Sequence, residues 1–563
     1  MNLHRPGRST PRLTRHRSLA VVLVYLTLAA GALYPIFLVS VPPLVDYPNH
    51  LARMHILAEI AEDPALQANY AIDWRIVPNL AMDVLLLPMT RFLSAVEASR
   101  LFVAATLMLM VGGTLALHRV VHGRIGLWPA AVFLFLYNYD LAWGFLNYLF
   151  AVGLYLAVFA GWIATGRWPG WSRLALFSVA ALALFFAHLF AFCIYGLSVA
   201  SYELWRGLES GESTLRRIVR QWVVVLGQFA IPCVLWLMFA PSRESTVTGY
   251  GTIGRKIAAT LSPTLFQFEP IDLITFAFVC LVLAGGLLSR TIRFAPELRF
   301  PLIVLGIAAV FMPNWLLNVW GVDFRLPPVL ACLVLAGTRI EPLNRNIAVI
   351  VATTALVLFG ARVWSLSQSW RELDKDFAEL RSASHVIELG ARLLPVLNLP
   401  TSGDEHSQRS SGLIDGLLTM QGYSAVRTSG GRSVPSPVYW HLPALAVVER
   451  SVFLPTLFTE PQQPLRAAPA NERIDTPSGH AATLAQLLAG ADPSQARLLV
   501  NMVDRLGNKA YWAFWPENFD YVLVLDFGES RNPLPKLLDR VHKGSYFTIY
   551  EVTGAPKLDH AVE

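Results

Sequence analysis

Long apolar segments joined by short basic loops fill the first two thirds of the chain and then stop. The segments 19–41, 99–117, 126–140, 148–165, 218–240, 271–289, 300–320, 326–338 and 346–366 read as membrane crossings, each of which takes roughly 20 apolar residues. Two stretches are ambiguous. Leu174 to Trp205 is nearly unbroken apolar sequence, long enough for one tilted helix or for two short helices turning near His188. Val77 to Leu93 contains Asn79, Asp83, Pro88 and Arg91, so it reads either as a poor span or as an amphipathic helix in the interface.

Charge decides between them. With 77–93 outside and 174–205 as a two-helix hairpin, the loops His118–Arg124, Arg167–Arg173, Arg206–Arg220, Arg290–Arg299 and Arg339–Arg345 all fall in the cytoplasm, as the positive-inside rule requires. The alternative exports the 117–124 loop. Either way the chain makes about eleven crossings, with the N-terminus inside and the C-terminus outside. The fold class expected is mainly α: a polytopic transmembrane helix bundle with a C-terminal soluble α/β domain. Its parts are a basic cytoplasmic N-terminus (1–18), a membrane domain (19–366) with an outer loop (42–98), and an extracytoplasmic domain (367–563). In that last part, Ser367–Leu389 reads as a helix. Arg392–Leu397 reads as a strand demoted to an edge by Pro395, and Thr401–Arg409 as a polar loop. Tyr521–Asp526 reads as a strand, Pro533–Lys543 as an amphipathic helix, and Tyr546–Val552 as a second strand.

Composition agrees. The chain is 54% hydrophobic and 15% charged, with a mean hydropathy of +0.47; soluble domains carry about 25% charged residues. The net charge of +6 comes from arginines at the ends of apolar segments, which gives no basic face for nucleic acid. Cys193, Cys233, Cys280 and Cys332 lie in apolar segments and read as buried thiols. The first segment lacks a small-x-small cleavage site near Val41 and reads as a retained anchor.

This topology gathers ionisable groups on the outer side. The run Val41-Pro42-Pro43-Leu44-Val45-Asp46-Tyr47-Pro48-Asn49-His50-Leu51-Ala52-Arg53 places Asp46, His50, Arg53 and then His55 just beyond the first span. Asp140, Trp143 and Asn147 lie between two spans, His188 at the hairpin turn, and Asp323 and Arg325 in Trp320–Pro327. Ionisable groups at membrane depth are costly and mark functional sites. Plainer roles stand beside this: Asp46 as a helix cap, His50 and Arg53 as a solvated face, Asp140 as a loop marker, His188 as a core histidine, Asp323 and Arg325 as a mutual pair. No CxxC, HExxH, P-loop or GxGxxG in a βαβ setting is present, and no metal motif.

An N-in first span followed by a long outer loop that opens with an Asp resembles the GT-C superfamily of polytopic glycosyltransferases. Val77-Pro78-Asn79-Leu80 followed by Arg100-Leu101 resembles the loop helix and second span of the dolichyl-phosphate-mannose and aminoarabinose transferase branch. Asp140 stands where some GT-C members carry a second acidic residue, and the terminal domain is similar to theirs. One departure is plain: many of that branch have Asp-Glu in the first loop, and here Asp46 is followed by Tyr47. Asp46-Tyr47-Pro48-Asn49-His50-Leu51-Ala52-Arg53 resembles a signature of bacterial membrane proteins, so the substrate does not carry over. The resemblance implies a polyprenyl-phosphate-linked sugar as donor, membrane lipid as surroundings, an acceptor of unspecified identity, no cofactor and the bacterial inner membrane. Asp46 would be the general base, with His50 beside it. Arg53, Asp140, Asn147, His188, Asp323 and Arg325 would contact substrate. Asp46 and Asp140 offer an alternative as oxygen ligands of a divalent cation. The rival class is a non-catalytic transporter or assembly protein for lipid-linked glycans. Against it, no internal repeat is visible and the charges sit at the outer ends of spans.

Overall fold

The computed structural model describes residues 11–211, 214–239, 248–317, 319–341, 344–398, 425–460, 463–476, 480–505, 509–527 and 531–553; the expected loop Thr401–Arg409 lies outside them. Its helices are α1 (Pro11–Leu38), α2 (Tyr47–Glu59), α3 (Pro64–Asn69), α4 (Ala81–Leu86), α5 (Ala95–His122), α6 (Tyr139–Trp143), α7 (Leu146–Ala164) and α8 (Gly170–Ala187). They continue with α9 (Leu189–Ser210), α10 (Leu215–Gly227), α11 (Ala230–Phe239), α12 (Ile253–Leu261), α13 (Pro270–Leu288), α14 (Arg299–Phe311), α15 (Val322–Gly337) and α16 (Arg345–Ala383). Short C-terminal helices complete the set.

Among the described residues, six helices are long and apolar enough to cross a membrane: α1, α5, α7, α8, α13 and α16. The count reaches seven if α10 and α11, bent by 44° at their break, form one span. These helices make this an integral membrane protein. The other expected crossings are present as shorter or less apolar elements. Segment 126–140 is a 3-10 helix (Trp128–Phe135) leading into α6, and 300–320 ends its helix at Phe311. The stretch 174–205 is two helices that break at His188, whose extended backbone ends α8 and opens α9. The stretch 77–93 holds only α4 and a single 3-10 turn, Met89–Arg91.

Close backbone packing holds the bundle together. α5 and α7 meet at Gly113 and Gly153: a Cβ on Gly113 would lie 2.5 Å from the Gly153 carbonyl oxygen. Small residues are what allow helices in lipid to approach this closely. α5 runs antiparallel to α1. At one end Arg100 reaches the Val39 carbonyl (3.1 Å), and at the other the Tyr25 hydroxyl reaches Gly126 just beyond α5 (3.0 Å). The basic loops collect at this second end. Ile292–Phe294 pairs antiparallel with Thr338–Ile340, and a Cβ at Gly166 would stand 3.3 Å from the Arg206 guanidinium. Cys193, Cys233 and Cys280 lie on the outer surface of the bundle and only Cys332 is buried, because an apolar helix face turned to lipid is as apolar as one turned to a core.

At the other end α16 carries the chain out of the bundle. Its 39 residues span about 58 Å. The buried Arg362 ties it to the carbonyls of Leu134, Tyr137 and Thr264 and to Asp272 (3.2 Å). Beyond it stands a five-stranded mixed sheet, its strands ordered Ala482–Thr483, Leu393–Asn398, Tyr521–Asp526, Phe547–Val552 and Leu538–Lys543. Leu393–Asn398 is an inner strand and not the expected edge. Pro395 is tolerated because the two-residue neighbour pairs only with Val396 and Leu397, which leaves one flank of Pro395 without a ladder partner. The expected helix at Pro533–Lys543 is also corrected. Leu538–Lys543 is an edge strand paired with Phe547–Val552, and its exposed Asp539, Arg540 and Lys543 suit an edge. The first loop is zipped onto this domain: Tyr70–Ile72 pairs antiparallel with Leu465–Ala467.

Candidate active site

Asp46 precedes α2, whose Pro48 sits in the first helical turn, where a missing N–H costs nothing. Its carboxylate does not cap the helix. The position is fixed through the backbone: Val45 N–H donates to the Ala142 carbonyl (2.9 Å) and Asp46 N–H to that of Trp143 (3.0 Å). The first loop is thereby bound to the turn that carries Asp140. That turn is built by Asn138, whose side chain accepts from Leu141 N–H, and by Gly144 at φ 79°. A Cβ at Gly144 would stand 3.1 Å from Asp46 N, so this turn must present a glycine to Asp46.

Arg325, in the first turns of α15, supplies positive charge to both carboxylates. Its guanidinium lies over the Phe145 ring (4.6 Å) and near Tyr148 (5.5 Å). It donates weakly to the Trp320 carbonyl (3.4 Å). Asp140 is fully buried, and among the described residues neither of its oxygens has a hydrogen-bond partner. Nε of Arg325 and Nδ1 of His50 are likewise unpartnered. Buried polar atoms without partners are rare in folded chains, and Asp140 is such a carboxyl, set in the field of Arg325.

The sheet domain closes over Asp46 with a histidine. His441 Nε2 stands 3.4 Å from Asp46 Oδ1. Asn49 directs its amide nitrogen to His441 Nδ1 (2.9 Å) and to the Thr456 carbonyl (3.2 Å). An amide nitrogen only donates, so Nδ1 is the acceptor and the ring proton sits on Nε2, facing Asp46. Burial keeps His441 neutral, its pKa pushed down to about 3. The Asp46 carboxyl, 16% exposed, is pushed up to about 7 by burial, against the lowering field of Arg325. His50, one turn along α2, contacts the Gly144 backbone, and burial and the nearby Arg53 hold it well below its ordinary value.

The structure therefore brings Asp46, His50, Asp140 and Arg325 together, with His188 within the field of Arg325. Other candidates are engaged elsewhere. Arg53 is buried in an ion pair with Asp83 (2.8 Å) and reaches Gln463 (2.7 Å). Asn147 donates to the Asn79 carbonyl (2.6 Å) and accepts from Met82 N–H (2.8 Å), which pins the first loop to α7. His188 Nδ1 accepts from Phe190 N–H (3.2 Å) as the cap of α9. Asp323 pairs with Arg255 (3.1 and 3.3 Å) and not with Arg325. Arg255, Gln463 and the Asn49–His441 contact belong to this network too, and Asp83, which marks the 77–93 stretch in the sequence, is the partner of Arg53. None of these pairings has a local sequence signal: Asn49 and His441 lie 392 positions apart, and Arg53 and Gln463 410. Among the described residues no group of three or more His, Cys, Asp or Glu side chains is placed to hold a metal ion.

No family model matches the chain, and no curated protein matches it. Among solved structures it is similar to ArnT from Cupriavidus metallidurans bound to undecaprenyl phosphate. That match is 13% identical, covers 95% of this chain and 97% of that chain, and has a TM-score of 0.42. A likeness so distant carries no functional weight; the geometry around Asp46 has to carry it.

Proposed function

We propose that the protein is a membrane-embedded glycosyltransferase that moves a sugar from a polyprenyl-phosphate donor to an extracytoplasmic acceptor. One observation carries the reading: two carboxylates, Asp46 and Asp140, lie within the field of the buried Arg325 where the membrane bundle meets the sheet domain, and neither Asp140 oxygen has a hydrogen-bond partner among the described residues. In this scheme Asp46 removes the proton of the acceptor hydroxyl while that oxygen attacks the anomeric carbon. The carbon–phosphate-oxygen bond breaks, and the polyprenyl phosphate leaves with the electron pair. A base whose pKa lies near 7 is well matched to this task. Arg325 stabilises the phosphate charge in low dielectric, and the nearby Asp140 carboxyl acts on it only through its field. Arg53 is assigned no phosphate contact, because Asp83 already neutralises it. His441 orients Asp46 through its Nε2–H. In the membrane we place the N-terminus and the basic loops in the cytoplasm of a bacterial cell and the sheet domain outside.

The test is release of polyprenyl phosphate from a radiolabelled donor pool. Asp46→Asn keeps shape and hydrogen bonding but cannot accept a proton, so turnover should fall by about 10²–10⁴ while donor binding stays near normal. Near-normal turnover would remove Asp46 from the chemistry.

A further inference from the structure

A cavity of about 2190 Å³ opens between α1, α13, α15 and α16; Asp323 and Lys256 are in its lining, and Asp46, Asp140 and Arg325 are not. Its walls are apolar: Tyr25, Leu28, Phe278, Leu330, Ala355 and Phe359 are among them. It exceeds the roughly 300–1,000 Å³ of a small-molecule site. At one end its rim is basic, with the exposed Arg119, Arg124 and Arg339 and the paired rings of His118 and His122, 4.6 Å apart. The acidic group on this rim is Glu341, already shared by Arg339 (3.2 Å) and Arg293 (3.4 Å). Arg119 and Arg124 form no ion pair among the described residues. His118 is buried, lines the cavity and has no partner for Nδ1.

We infer that this cavity holds an anionic glycerophospholipid, its acyl chains between the helices and its phosphate among Arg119, Arg124, Arg339 and His118. Charge complementarity selects the occupant: a basic rim with free guanidiniums above an apolar space wider than one chain. A polyprenyl-phosphate donor fits less well. Arg100 and His122 mark opposite ends of α5, about 33 Å apart at 1.5 Å per residue, and the Asp46 end is the Arg100 end. A sugar attached to a phosphate at this rim would not reach Asp46. The inference therefore stands whether or not the protein is a transferase.

The test uses the full-length protein in detergent, with phosphatidylglycerol and phosphatidylcholine of identical chains as probes. Retained lipid is read by native mass spectrometry and stability by thermal unfolding. Phosphatidylglycerol should be retained at least about tenfold better, and Arg119→Ala with Arg124→Ala should remove about that factor, since each basic residue near anionic lipid contributes about fivefold. Ala355→Trp, which fills the cavity and spares the rim, should expel phosphatidylglycerol as well. Equal retention of the two lipids by the wild-type protein overturns the inference even if the variants fail to fold. Displacement of phosphatidylglycerol by polyprenyl phosphate at equal concentration overturns it too, and gives the cavity to the donor chain.

Discussion

Asp46 has two measurable properties that follow from its surroundings. Its pKa stands at about 7 because burial outweighs the field of Arg325. As a base it works only when ionised, so kcat/KM should rise with pH through about 7 and fall tenfold per unit below it. Arg325→Ala removes the group that lowers this pKa and should move that limb to higher pH, besides weakening donor binding. His441→Ala should lower kcat while leaving donor KM nearly unchanged, and His441→Gln should restore part of it by supplying an N–H. Stability has the opposite sign. The carboxyl is raised from 3.8 in the free residue, so its favourable contribution is complete below that value and is lost as pH rises to about 7. Asp46→Asn should then unfold at a temperature equal to or above that of wild type at pH 8, although it is inactive. A lower melting temperature would mean that the carboxylate has a structural partner. Gly144→Ala is the backbone counterpart: a left-handed non-glycine residue costs about 1–2 kcal/mol, and the new Cβ would press on Asp46. Activity should fall further than stability.

At the level of elements, the first loop is held by a buried ion pair. Arg53 on α2 and Asp83 on α4 form a buried pair, 1% and 0% exposed. Breaking such a pair from one side typically costs about 3–5 kcal/mol, because the other charge stays buried and unpaired. Arg53→Ala should therefore lower the yield of folded protein and its melting temperature, while Arg53→Met with Asp83→Leu should recover both. Folding of the double variant without donor turnover would return Arg53 to the catalytic set. The α5–α7 contact makes a similar demand: Gly113→Val places methyls against the Gly153 carbonyl and should separate the two helices.

At the level of the whole molecule, the basic loops lie at one end of the bundle and the sheet domain at the other, so orientation can be tested with two labels. In a variant without the native cysteines, an impermeant maleimide added outside should modify Ser494→Cys, which is exposed on the sheet domain, and spare Ile125→Cys, near the basic end. The reverse pattern would invert the proposed topology. Much of this architecture was legible in the chain. Apolar runs mark helices that need lipid, arginines mark the loops between them, and the change in composition after Trp364 marks where spanning stops. Asp46 stood out because an acidic residue beside a span is costly. Sequence patterns failed where long-range contacts decide. A Pro in Leu393–Asn398 read as an edge, yet a short neighbour made it an inner strand. The amphipathic helix read at Pro533–Lys543 yielded to strand pairing of Leu538–Lys543 with Phe547–Val552. The partners of each charge lay far along the chain: Arg53 with Asp83 and Gln463, Asp323 with Arg255, Asp46 with His441. The sequence by itself determined where the chain meets lipid, because transfer energy is additive along a segment. Only the tertiary structure decided which buried charges are neutralised and which stay free for chemistry, because an ion pair depends on distances of a few ångströms between residues tens to hundreds of positions apart.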